Sequence, residues 1–161
     1  MKKILFFRHS DSPFDVNLSD HDRELSEGGK KNAAIMGRRV NKRRIFPDFF
    51  ISSTARRAVD TCMIIKDHCN SDIPISQHRE IYSHGISGIV NIIKNLNDEI
   101  KFISIVGHNP TMHQIHNNIS VNKIQTYHTA GMMLCNVNLK FWNDFSFPLL
   151  ELIMYDHPEN N

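Results

Sequence analysis

Residues 2–12 read Lys2-Lys3-Ile4-Leu5-Phe6-Phe7-Arg8-His9-Ser10-Asp11-Ser12. Four consecutive apolar side chains run straight into an arginine and a histidine, and then into a polar cluster that favours a turn. A short, β-prone apolar run closed by turn residues reads as a buried strand. The strand therefore delivers Arg8 and His9 to its carboxyl end. In open α/β sheets that is where ligands bind.

Working outward, the apolar pattern alternates between the periods of strand and helix. Residues 26–44 read as a helix, capped by Ser26, with Ala33, Met36, Gly37 and Val40 on one face. Residues 48–52 (DFFIS) follow Pro47 as a second short strand. Residues 54–68 are helical again, with Ala58, Cys62 and Ile65 as a stripe. Residues 73–78 contain Pro74 and fit only a poor or edge strand. Residues 85–96 form a helix with Ile89, Ile92, Ile93 and Leu96 inward. Residues 102–106 (FISIV) are the strongest buried strand. Asn109-Pro110 opens a helix carrying Met112, Ile115 and Ile119, and two late strands, 132–139 and 149–155, are joined by a turn around Asn143-Asp144. Strands alternating with helices specify βαβ units and a mainly parallel sheet covered on both faces. The polar loop 11–24 is long enough to expect a functional role. Residues 158–161 are expected to fray.

The totals bound the reading. A chain of 161 residues suits a single domain, 1–161, with one sizeable core. A net charge of +2 is too small to argue for nucleic acid. No stretch approaches the roughly 20 apolar residues that span a bilayer. The start of the chain faintly resembles a signal peptide. Its apolar run is short, Arg8 interrupts it and no small-residue cleavage site follows, so the expected location is cytoplasmic. The three cysteines, Cys62, Cys69 and Cys135, form no C-x-x-C pair and read as buried small hydrophobes.

Two further strand ends carry chemistry. Ser53-Thr54-Ala55-Arg56-Arg57 follows the second strand, and Gly107-His108-Asn109-Pro110 follows the strongest one. With Thr54 as the N-cap, Arg57 stands near the third helical position and leans back over the strand ends. Arg56 points about 100° away around the helix and is the weaker ligand candidate. Asn109 is a good N-cap and Pro110 suits the first helical position, leaving His108 just ahead of a helix N-terminus that favours an anion. Two arginines and two histidines converging without carboxylates call for a dianion, and phosphate fits the planar guanidinium fork.

Arg8-His9, Ser53-x-x-x-Arg57-Ala58-x-x-Thr61 and Gly107-His108-Asn109-Pro110 resemble the signature of the histidine phosphatase superfamily, and Asp20-x-x-Arg23-x-Leu25-Ser26-x-x-Gly29 adds to the likeness. At this length the chain resembles SixA-type phosphohistidine phosphatases more than the larger mutases and acid phosphatases. The likeness runs from Lys2 to about Thr111. It implies a three-layer α/β/α sandwich of the phosphoglycerate mutase-like kind. It implies His9 as nucleophile, with Arg8, Arg57 and His108 holding the phosphoryl oxygens and Arg23 assisting from the loop. It implies neither metal nor cofactor. Like-charge repulsion from Arg8 and Arg57 should keep His9 neutral, while His108 would act best as a charged donor. Where the superfamily usually has Gly or Ala after Arg-His, this chain has Ser10, whose hydroxyl is expected to bond the phosphate.

The substrate turns on the proton for the leaving group. An alkoxide needs one, and the candidate acids are Glu80 and His84. Glu80 is spaced badly for the mutase-like pattern. An imidazole leaves more readily, with a conjugate-acid pKa of about 6.5. The expected substrate is therefore a phosphohistidine on a phosphocarrier or phosphorelay protein, and the chain is expected to work as a monomer. The competing readings are a small phosphate ester as substrate, or a non-catalytic phosphate or phosphohistidine reader. His113 and His116 are spaced three apart but lack companion ligands, so no metal site is expected there. Arg38-Arg39-Val40-Asn41-Lys42-Arg43-Arg44 could grip nucleic acid, but reads better as a solvated helix end. For Arg57, the plain structural alternative is an ion pair with Asp60.

Overall fold

Ile4 and Phe6 face one side of a central sheet, Leu5 and Phe7 face the other, and all four are fully buried. The computed structural model describes residues 1–160. The first strand is β1 (Lys2–Arg8), followed by β2 (Phe49–Ser53), β3 (Ile75–His78), β4 (Phe102–Gly107), β5 (Met132–Val137) and β6 (Leu150–Asp156). They lie in the order β3-β2-β4-β1-β5-β6. The first four strands are mutually parallel, and β5 runs antiparallel between β1 and β6.

Among the described residues, five helices cover the sheet: α1 (Glu27–Lys42), α2 (Arg56–His68), α3 (Arg79–Ser83), α4 (Gly85–Lys94) and α5 (Thr111–Ile119). Met36 and Val40 of α1 and Ala58, Cys62 and Ile65 of α2 pack on the Leu5/Phe7 face. Ile81, Ile89, Ile93, Met112 and Ile115 of the other three pack on the Ile4/Phe6 face. The result is the three-layer α/β/α sandwich that the alternating pattern requires. No helix among the described residues is long and apolar enough to cross a membrane.

The register positions the site. Arg8 pairs with Gly107 across the β1–β4 ladder, and Ser52 pairs with Val106 across β2–β4. The residues just beyond, His9, Ser53 and His108, therefore leave the sheet side by side at one edge. Ser26 caps α1 through the N–H of Gly29 at 2.9 Å, as its sequence position predicts. Gly29 is required there, because an added Cβ would lie 2.2 Å from the backbone oxygen of Asp11.

Several boundaries differ from expectation. The cap position of α2 is Ala55 rather than Thr54, and the Thr54 hydroxyl instead meets His21 Nε2 at 2.9 Å. Arg57 therefore stands one position nearer the helix start. Helix α5 begins at Thr111, and Asn109 is no cap: its amide donates to the carbonyl of Tyr127 at 3.0 Å. The short α3 follows β3 with no turn residue to announce it. In the segment expected to fray, the Arg39 guanidinium donates to the carbonyls of Pro158 and Asn160, and also to that of His157 just before it. Asn161 lies outside the described residues. The buried Asp156 takes both Arg39 and Arg43, so the basic run binds the end of β6 rather than forming a uniform solvated face. Cys62 and Cys135 are buried and Cys69 is half-buried, and all three are free thiols.

Candidate active site

His9 sits at the floor of the site, 8% exposed. Its backbone N–H donates to Gly107 and its carbonyl accepts from Ala130, which pins the residue to β4 and to the segment before β5. Its ring Nδ1 lies 2.7 Å from the carbonyl oxygen of Ser10. A carbonyl can only accept, so the ring proton is on Nδ1 and the lone pair is on Nε2. Burial pushes the His9 pKa down to about 3, and the nearby His108, Arg57 and Arg8 push the same way against the Ser10 carbonyl. His9 is thus neutral with an available lone pair at neutral pH.

Arg57, 5% exposed, aims at that lone pair: its Nε donates to His9 Nε2 at 3.3 Å. The neighbouring Arg56 turns outward to Glu24 and Asp60, so the ion pair with Asp60 belongs to Arg56 and not to Arg57. Arg8 donates through Nη1 to the Tyr127 carbonyl at 2.8 Å, and its buried Nε has no hydrogen-bond partner among the described residues. Tyr127 O thus ties Arg8 and Asn109 together.

The His108 ring lies 5.2 Å from the His9 ring, centroid to centroid. Its Nε2 is 2.8 Å from the Ser53 hydroxyl. That hydroxyl oxygen also accepts from the Ala55 N–H at 3.2 Å. His108 Nδ1 is buried and lacks a partner among the described residues. His108 does not rest as a cation. Burial first, and then the charge of Arg57, lower its pKa to about 4. It is a neutral donor until an anion arrives. An unpaired buried Nε–H on Arg8 and an unpaired ring nitrogen on His108, beside a neutral histidine, fit an oxyanion.

The loop before α1 adds a group that a search for cations passes over. Asp20 receives Arg57 twice, Nη1 on its backbone carbonyl at 2.5 Å and Nη2 on its carboxylate at 3.2 Å. Tyr82 donates its hydroxyl to the same carboxylate at 2.7 Å. The Tyr82 bond, with Arg57 and Arg23, holds the Asp20 carboxyl below its ordinary range. Thr61 is also built in, accepting from the Ser10 N–H at 3.0 Å and donating to the Arg57 carbonyl at 2.7 Å. Asp20 and Thr61 stand in the sequence motifs. Tyr82 and Tyr127 have no signal there.

Other expected ligands are placed differently. The Ser10 hydroxyl is fully buried and donates to the Gly29 carbonyl at 2.6 Å, so it braces the loop on α1 instead of facing a phosphate. Arg23 is held by the Asp20 carboxylate at 3.1 Å and by the Ser12 carbonyl at 2.7 Å, which makes it an outer partner of Asp20. Glu80 and His84 line a surface depression with Ser87, Gly88 and Asn91, and neither side chain hydrogen-bonds His9, Arg57 or His108 among the described residues. His113 donates from Nε2 to the Ile124 carbonyl at 2.8 Å, and His116 is buried against Tyr127 and Tyr155.

A sequence model of the histidine phosphatase superfamily (branch 1) matches residues 4–82. An uncharacterized protein of Mycobacterium leprae is 26% identical over 154 residues, 90% of this chain and 92% of its own length. Among solved structures, SixA from Agrobacterium tumefaciens superposes with a TM-score of 0.81 at 24% identity, covering 98% of both chains. The protein histidine phosphatase SixA complexed with tungstate gives 0.81 at 14% identity, covering 97% of both. A mycobacterial glucosyl-3-phosphoglycerate phosphatase gives 0.64 at 11% identity, covering 98% of both. At these identities the structural likeness speaks for the fold, the phosphoglycerate mutase-like sandwich of histidine phosphatases.

Proposed function

We propose that this chain, which has the fold and the N-terminal motifs of the histidine phosphatase superfamily, removes phosphoryl groups from histidine side chains of a partner protein by way of a phospho-His9 intermediate. The observation that carries the reading is the fixed tautomer of His9: Nδ1–H on the Ser10 carbonyl, Nε2 unprotonated and facing Arg57.

In the proposed cycle the Nε2 lone pair attacks phosphorus, the bond to the leaving group breaks, and its electron pair stays on the leaving atom. Arg57 transfers its Nε–H from His9 to a phosphoryl oxygen. Arg8 Nε and His108 Nδ1 supply the other donors, and this preorganised charge is the main source of rate. Water then attacks phosphorus, inorganic phosphate leaves, and the electron pair returns to Nε2. Throughout, the Ser10 carbonyl keeps a proton on Nδ1, so His9 departs as neutral imidazole rather than as its anion.

The preference for phosphohistidine rests on the same chemistry. An ester needs an acid for its alkoxide. The carboxyl beside Arg57 is Asp20, which is held ionised, while Glu80 bonds none of His9, Arg57 and His108 among the described residues. A SixA-like outline over nearly the whole chain supports a protein-borne substrate. The alternative, a small phosphate ester, draws on the likeness to the glucosyl-3-phosphoglycerate phosphatase. Phosphate release from a phosphohistidine peptide and from a serine phosphate peptide separates them. The proposal expects rapid release from the first and slow release from the second. Faster release from the ester would overturn it.

A further inference from the structure

We infer that the Asp20 carboxylate is the acceptor for the substrate's own imidazole, holding a proton on the ring nitrogen remote from phosphorus while the phosphoryl group moves to His9. The inference rests on the proposed phosphohistidine activity and names what selects that substrate.

The chemistry begins with a symmetry between the two rings. Transfer from substrate to His9 breaks one phosphorus–nitrogen bond and makes another. Each ring leaves easily only if its second nitrogen carries a proton, because it then departs as neutral imidazole. For His9 the Ser10 carbonyl secures that proton, 2.7 Å from Nδ1. The incoming ring needs an acceptor of its own.

Asp20 is where such an acceptor is required. Displacement at phosphorus runs roughly in line, so the leaving ring lies opposite Nε2. His9 is on the floor and 8% exposed, which puts the departing ring on the solvent side. The Asp20 side chain is 56% exposed and hangs over Arg57, bonded to Nη2 at 3.2 Å. The groups facing it are Arg57 from α2, Arg23 from its own loop and Tyr82 from α3, with His108 near enough to feel its charge and the His21 ring packed on Tyr82. The cations and the phenol keep Asp20 ionised. An ionised carboxylate cannot supply a proton to an alkoxide, but it favours a protonated imidazole. The same residue thus favours phosphoramidate and disfavours ester.

The test compares two substrates and three proteins. A phosphohistidine peptide and 4-nitrophenyl phosphate are assayed with the unaltered chain, Asp20→Asn and Asp20→Glu over a range of pH. Asp20→Asn is expected to lower kcat/KM for phosphohistidine about tenfold more than for the aryl phosphate, the effect of one unit of substrate pKa. It should move the alkaline limb of the phosphohistidine profile alone toward lower pH. Asp20→Glu, which keeps the charge, should restore part of the difference. A proportional loss on both substrates would mean that Asp20 only orients Arg57, and a gain on both that it only competes with phosphate. Either result overturns the inference. An unaltered chain inactive on phosphohistidine but active on the aryl ester would remove the underlying reading itself.

Discussion

The Nδ1 of His9 is held 2.7 Å from the carbonyl oxygen of Ser10, the residue beside it in sequence. A backbone acceptor is fixed by the fold and does not titrate. It therefore sets which nitrogen of His9 is free at any pH where the ring is neutral.

That neutrality should extend well below the ordinary histidine range. Burial brings His9 to about 3 and His108 to about 4. Ring-proton NMR titration of the free protein should find both rings unprotonated from pH 8 down to 5. A midpoint near 6.5 for His9 would contradict the burial argument. The sign for stability follows by linkage. Below 6.5 the unfolded chain binds protons that the folded chain refuses, so stability rises with pH between about 4 and 6.5. Thermal unfolding should show Tm falling as pH drops through that window, less steeply in His9→Gln.

Arg57 is the side chain on which most of the site depends. Its Nε meets His9 and both of its Nη atoms meet Asp20. Lysine keeps the charge but loses the fork. Arg57→Lys should lower kcat/KM by about 100-fold to 1,000-fold, the cost of removing a preorganised donor. Inhibition by inorganic phosphate should weaken in parallel. Retained activity with retained phosphate affinity would remove Arg57 from the site.

Ser10 separates a structural role from a ligand role. Its hydroxyl bonds the buried Gly29 carbonyl, not the space above His9. Ser10→Ala keeps the backbone carbonyl that orients His9. It should cost about 0.5–1.5 kcal/mol of stability in denaturant unfolding, the net worth of one hydrogen bond, because the Gly29 carbonyl keeps its helical partner in α1. KM for a phosphate substrate should not rise in step. A stable variant with a much higher KM would return Ser10 to the phosphate.

How far the sequence discloses this arrangement depends on where the relevant physics acts. The sheet and the faces of α1, α2 and α4 follow from hydrophobic period, because burial of Ile4, Met36 or Ile89 is a one-dimensional signal. His9, Ser53 and His108 are legible as strand-end residues because parallel register brings strand ends together. The capping expectations at Thr54 and Asn109 failed where a tertiary partner, His21 or the Tyr127 carbonyl, outbid the local backbone. Asp20 stands in a motif, but its pairing with Arg57 was hidden for a different reason: converging cations suggest an external anion, and the chain supplies an internal one. Tyr82 lies on α3, a helix of five residues, too short for a periodic signal.

Glu80 offers a direct check on the ester alternative. It lines a depression with His84, Ser87 and Asn91 and makes no hydrogen bond to His9 among the described residues. Glu80→Gln should therefore leave kcat and KM unaltered on phosphohistidine and ester substrates alike. A selective loss of ester turnover with activated aryl phosphate spared would identify Glu80 as a working acid, and would favour the ester reading.

The central claim is a covalent phosphoryl group on one nitrogen of one residue. The measurement is to incubate the protein with a radiolabelled phosphohistidine donor, quench in denaturant, and map the label by mass spectrometry. The account predicts a base-stable, acid-labile phosphate on His9 Nε2, absent in His9→Ala and lost with time as inorganic phosphate appears. Phosphate release with no label on His9 at any time, or an undiminished label in His9→Ala, would contradict it.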